Sequence, residues 1–158
     1  MSVNPRRKSR IAALQALYEA DMSTHAALAA LDRLAADAKL TDAQAEFARD
    51  LLTGVIEHRD AIDDVIRQAA PQWPVSQLSA IDRNILRLAI REILMNNGAP
   101  IRAAINEAVE LAKRFGSDNS AKFVNGVLGS VSASLAQSST QVPGSADQRE
   151  KQHSGNSL

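Results

Sequence analysis

Arg6, Arg7, Lys8 and Arg10 place four cations in one short run, and no acid follows them until Glu19. A guanidinium is a planar fork of N–H donors that matches two phosphate oxygens at once. The chemistry open to this run is therefore anion recognition, with a nucleic-acid backbone as the natural polyanion. On a helix Arg6 and Arg10 stand one turn apart, and Arg7 falls in angle between them and the apolar stripe. Because the run continues into an amphipathic helix, its charges would be held in place. The alternative is a solvated basic terminus that only aids solubility.

A second basic row, Arg83, Arg87 and Arg91, repeats every four residues on one helix face. Asp82 and Glu92 lie close by, so a surface ion-pair ladder is the competing reading. Further on, Lys113, Arg114 and Lys122 flank Phe115 and Phe123. Phe123 sits off the neighbouring apolar stripe. It is either a core-edge residue or an exposed ring on which a base or a partner packs.

Catalytic patterns do not emerge. His25, His58 and His153 are far apart and none has metal-ligand spacing. There is no phosphate-cradling glycine loop and no nucleophile elbow. Gly126 and Gly129 fall within a helical pattern, where close helix packing is the expected reason. The chain has no cysteine, which removes disulfides, thiolate metal sites and thiol nucleophiles. The expected molecule is a binding module without cofactor or metal, not an enzyme.

Lysine plus arginine and aspartate plus glutamate both total 18 in 158 residues, so electrostatic function must come from uneven distribution. One domain is the natural expectation at this length. Scarce aromatics and abundant alanine and leucine favour helix over sheet. No apolar run reaches the roughly 20 residues needed to span a bilayer. Gln15 interrupts the apolar residues after the basic start, so a secretory signal is not expected and the protein reads as cytoplasmic.

The elements that must position these groups follow from periodicity. Asn4-Pro5 starts a helix whose stripe is Ile11, Leu14, Tyr18 and Met22, widened by Leu17. A second helix covers about His25 to Ala38. Thr41 and Gln44 have capping-box spacing and open a helix with Phe47, Leu51, Leu52, Val55 and Ile56. A break near His58 leads to a helix with Ile62, Val65 and Ile66, capped by Asp60 and ended by Pro71 and Pro74. The next runs to about Met95, and Asn96-Asn97-Gly98 stops it. Pro100 opens a helix that Phe115-Gly116 closes. Ser117 or Asp118 caps a last one carrying Val124, Val127, Leu128, Val131 and Leu135. The chain from 137 to 158 has almost nothing to bury and is expected to be a disordered tail. The fold class is all-α, with about seven helices and no strand.

Three segments together resemble the NusB family. Arg6-Arg7-Lys8-Ser9-Arg10, running into Ala13-Leu14-Gln15-Ala16-Leu17-Tyr18, is similar to the family's arginine-rich start. Asp82-Arg83-Asn84-Ile85-Leu86-Arg87-Leu88-Ala89 resembles its fifth helix. Ile105 to Gly116, followed by Lys122-Phe123-Val124-Asn125-Gly126-Val127-Leu128, is the most specific stretch. The resemblance runs from about Pro5 to Val131.

It implies a domain over 1–136 built of two helical subdomains, about 5–70 and 75–136. It also implies a role in transcription antitermination that supports rRNA transcription. The partners would be boxA-type single-stranded RNA, NusE (the ribosomal small-subunit protein that doubles as a transcription factor) and the elongation complex. Carried over by position, Arg6, Arg7 and Arg10 would face RNA phosphates, with Lys8 in the same run. Lys122, Phe123 and Asn125 would lie on or near that surface. Tyr18 and Asp82 would lie near the NusE contact, although Tyr18 also reads as core with only its hydroxyl at the surface. Three positions depart from the family pattern. Asn119 and Ala121 stand where an acid and a histidine are frequent, and Arg91 where an aromatic is frequent. Asn119 is then a neutral amide in the first turn of a helix, a position suited to phosphate. Monomer and homodimer both stay open. Rival readings are a helical interaction or dimerisation module with weak or no RNA binding, and the NusB-like domain that elsewhere guides an RNA methyltransferase. The chain is expected to lack room for that enzyme's catalytic domain.

Overall fold

The computed structural model describes residues 4–20, 24–95 and 100–137. Met22, the Asn96-Asn97-Gly98 stop and the chain from 138 to 158, most of the expected tail, lie outside the described residues. The described residues contain no strand. The helices are α1 (Pro5–Ala20), α2 (Thr24–Asp37), α3 (Asp42–Glu57), α4 (Arg59–Ala69), α5 (Ala80–Met95) and α6 (Ile101–Phe115), with a 3-10 turn at Val75–Gln77. A further helix, α7, runs over 120–137.

Local chemistry explains the boundaries. The Asn4 side-chain oxygen accepts from the Arg6 backbone N–H at 2.9 Å, capping α1. Thr41 and Gln44 form the expected reciprocal capping box at α3. His58 both ends α3 and precedes α4 with no side-chain cap, so the break is where expected but Asp60 does not cap it. Instead Asp60 sits in the first turn of α4, where a carboxylate suits the helix dipole. After α2 the backbone N–H of Leu40 reaches the carbonyl of Ala35 at 3.0 Å, and Lys39 takes a left-handed φ of 54°. Glycine is the usual occupant of such a helix-ending position.

α1 packs on α2, α3 and α5, and α5 also packs on α3, α4 and α6. The stripes interlock through Leu14 and Leu17, Leu51, Leu52 and Val55, Ile62 and Ile66, Ile85, Leu86 and Ile90, and Val124 and Leu128, all essentially inaccessible. Burying each such side chain contributes roughly 1.5–3 kcal/mol. The buried residues on both sides of Pro71 join in one hydrophobic cluster.

Two expectations about faces change. Tyr18 is not core: it is 57% exposed, because the buried face of α1 runs through Arg10, Ala13, Leu14 and Leu17. Gly126 and Gly129 do not permit close helix packing, since a Cβ at either would meet nothing within 4 Å.

Candidate nucleic-acid interface

The first turn of α1 is held by α3. Gln44 donates from its side-chain amide to the Pro5 carbonyl at 2.7 Å, and Ser9 donates from its hydroxyl to the Gln44 carbonyl at 2.9 Å. The basic run is thus fixed to the body of the protein, but its four cations have different fates. Arg6 and Lys8 are exposed, and the Arg6 guanidinium lies 4.2 Å from the centroid of the buried Phe47 ring. A cation on an aromatic face keeps its outward N–H groups for a ligand. Arg7 is half-buried and donates two 3.0 Å hydrogen bonds to the Glu107 carboxylate on α6. That pair holds the Glu107 carboxyl below its ordinary range, chiefly through the hydrogen bond from Arg7.

Arg10 corrects the expected phosphate set. It is 6% exposed and gives both arms of its fork to Glu92 on α5, at 2.9 and 2.5 Å. Its remaining nitrogen is 3.9 Å from Glu107. Arg10 is committed to two carboxylates inside the protein and presents no free fork to RNA.

The row on α5 is also structural. Arg87 is buried on Asp63 at 2.8 and 2.9 Å, and Arg83 donates to the carbonyls of Val75 and Leu78. Arg91 lies flat across Gly54 of α3, where a Cβ would collide with its side chain. Nearby Arg59 and Arg67 pair with Asp60 and Asp64. Of the row only Arg87 is in an ion pair among the described residues, and it is buried and pairs with Asp63 of α4, so the expected surface ladder with Asp82 and Glu92 does not form.

A second cluster forms where α7 begins. Asn119, Lys122 and Phe123 line a groove of about 490 Å³ with Trp73 and Pro71 of the connector after α4. Asn119 and Lys122 are exposed and Phe123 is half-buried. Ser120 accepts from the Ser117 backbone N–H at 2.9 Å, closing the turn between α6 and α7. Neither Ser117 nor Asp118 begins the helix; Asn119 stands before its first residue, and its carbonyl accepts from the Phe123 N–H at 3.0 Å. Asn125 is exposed but does not line the groove. Between the two clusters α6 carries Lys113 and Arg114, which share a small groove with Arg7. From Glu107 to Gly116 the helical rise is about 13 Å. Of the two residues placed near a protein contact, Tyr18 is exposed. Asp82 is half-buried on α5, its Oδ1 without a hydrogen-bond partner among the described residues.

Residues 7–133 match the model of the NusB family. The chain belongs to the NusB family. It is 54% identical over 136 residues, covering 86% of this chain and 95% of the relative, to the transcription antitermination protein NusB of Dehalococcoides mccartyi (strain ATCC BAA-2266 / KCTC 15142 / 195). Among solved structures it is similar to T. maritima NusB, with 36% identity, a TM-score of 0.74 and coverage of 82% of this chain and 92% of that one. It shares the fold of the NusB in a crystal structure of antitermination factors NusB and NusE with dsRNA, at 23% identity, a TM-score of 0.72 and coverage of 82% and 97%.

Within this NusB fold, the roles of four residues were not legible in the sequence: Glu92 and Glu107, which occupy the arginines, Phe47 under Arg6, and Trp73 opposite Phe123. For the glutamates a signal of burial was present. Glu92 follows Leu88 by four and Glu107 precedes Leu111 by four, so both fall on buried stripes. A charge at a core position calls for a buried counter-ion. Nothing local marks Trp73, which sits between two prolines.

Proposed function

We propose that this protein is a cytoplasmic transcription antitermination factor that binds boxA-type single-stranded RNA of nascent transcripts together with NusE, and that it works on the elongation complex without catalysing a reaction. The observation that carries the reading is the anchored, outward-facing pair Arg6 and Lys8, with Arg7 beside them, on a chain whose relatives are named for antitermination. The RNA surface runs from this pair along α6, past Lys113 and Arg114, to Asn119, Lys122, Phe123 and Asn125. Tyr18 and Asp82 face NusE, and the exposed phenol offers an apolar ring with a polar tip. The two sides of Pro71, about 5–70 and 75–136, act as two helical subdomains sharing one core. Among the described residues no cluster could hold a metal ion, and no helix is long and apolar enough to cross a membrane.

The test is a titration of boxA-like and scrambled RNA, single- and double-stranded, with and without NusE at two salt concentrations. Tighter binding of single-stranded boxA-like RNA with NusE present is expected, and RNA must tighten NusE binding by the same factor. Salt-independent or absent RNA retention in both states would leave a helical interaction module instead.

A further inference from the structure

Trp73 is the single tryptophan of the chain, and it is 55% exposed. Its ring stands edge-to-face with Phe123, centroids 6.2 Å apart and planes at 79°. Two rings at that angle make a corner. A flat ring entering it can lie on one aromatic face while its edge meets the other. The corner opens into the groove lined by Pro71, Gln72, Asn119, Lys122 and Val127. At about 490 Å³ the groove falls in the range that holds small ligands. Its floor is open above Gly126, where a Cβ would meet nothing within 4 Å.

We propose that Trp73 and Phe123 form a stacking slot for one unpaired base of a single-stranded RNA, with Lys122 at the rim on the adjoining phosphate. The proposal rests on the RNA-binding reading above and adds the connector at Trp73 to its surface. Charge favours a nucleotide over an apolar side chain of a protein. Lys122 is the one charged residue lining the groove, it is exposed, and no ion pair holds it among the described residues. Asn119 adds an amide able both to donate to and accept from a base edge. Apolar walls, one cation and two amides, Gln72 and Asn119, suit a base attached to a phosphate, and stacking on aromatic rings tolerates any base.

Trp73 also reports on its own slot. The full chain is titrated with a single-stranded RNA oligonucleotide and with the same oligonucleotide made abasic, following retention and tryptophan emission together. The intact oligonucleotide should change Trp73 emission; the abasic one should bind more weakly and leave emission unaltered. Trp73→Ala should lower affinity for the intact oligonucleotide about tenfold and leave affinity for the abasic one alone, while Trp73→Phe stays close to wild type. Matched melting midpoints show that the variants fold, and the emission test needs no variant. RNA retained with unchanged emission, or with affinity unchanged in Trp73→Ala, would overturn the slot and leave the RNA reading intact. An emission change equal for intact and abasic RNA would also overturn it. Failure of wild type to retain any RNA, with NusE present, would remove both.

Discussion

Arg10 on α1 and Glu92 on α5 form a two-bond ion pair, at 2.9 and 2.5 Å, inside the protein. It ties the basic N-terminal helix to the second half of the chain. Removing one partner of such a pair strands a buried charge, which costs about 3–5 kcal/mol. Arg10→Ala should therefore lower the melting midpoint sharply. Arg6→Ala and Lys8→Ala should leave it nearly unchanged and act on RNA alone. Together those two should flatten the log-log salt slope of RNA binding by up to about 1.4, roughly 0.7 per phosphate contact. A stable Arg10→Ala protein with a flattened slope would return Arg10 to the RNA surface.

The basic run illustrates what the sequence discloses and what it hides. Helix existence was legible because each stripe repeats at 3.6 residues and each boundary has local chemistry, as at Thr41–Gln44. Which way α1 faces was not. The expected stripe already held Leu14 and Leu17, but it was centred on Ile11 and Tyr18, about one residue of rotation, roughly 100°, from Arg10 and Leu17. The true face contains an arginine, which looks like surface until Glu92 and Glu107 are known to meet it across 82 and about 100 positions of chain. Long-range pairing of charges has no local signature. The aromatic corner was hidden for the same reason, since Trp73 and Phe123 meet only through tertiary packing.

Arg7 gives both hydrogen bonds to Glu107, so a phosphate arriving there would compete with that carboxylate. The hydrogen bond from Arg7 lowers the Glu107 carboxyl below its ordinary value of 4.5, so the native state binds fewer protons than the unfolded one. The stability from this pair is fully present above that ordinary value and is lost as pH falls through the lowered one. Acidifying from about pH 5 to about pH 3 should therefore destabilise wild type more than Glu107→Gln. At neutral pH the same variant frees Arg7 from its competitor, so it should bind RNA more tightly and steepen the salt slope by up to about 0.7. Parallel acid melting curves for the two proteins would show that the pair adds no stability.

Gly54 leaves the space that the end of the Arg91 side chain occupies. A methyl group there would displace the Arg91 side chain, whose Nε is buried without a hydrogen-bond partner among the described residues. Gly54→Ala should cost up to about 1 kcal/mol, the low end of the range for overpacking, because the group in the way is the flexible end of a half-buried side chain. In an Arg91→Ala background the same change should cost little or stabilise, because alanine is the better helix former once the clash is gone. The coupling between the two changes is the measurement. Equal cost in both backgrounds would place the need for glycine elsewhere.

Asn119 is the position where a single charge should reveal whether the start of α7 meets RNA. It is exposed, stands just before the first residue of α7 and lines the groove with Lys122 and Phe123. The unpaired N–H groups of a helix start carry partial positive charge and favour an anion. Asn119→Asp would supply that anion from the protein itself and repel an arriving phosphate. Binding of RNA should weaken on the order of 1 kcal/mol at low salt, and the difference should shrink as salt screens the contact. The fold should tolerate the change or gain slightly, since aspartate is a good helix-capping residue. Stability and affinity thus move in opposite directions, which damage to the fold cannot mimic. Equal RNA affinity for the two proteins at low salt would confine Asn119 to capping and end the RNA surface at Arg114.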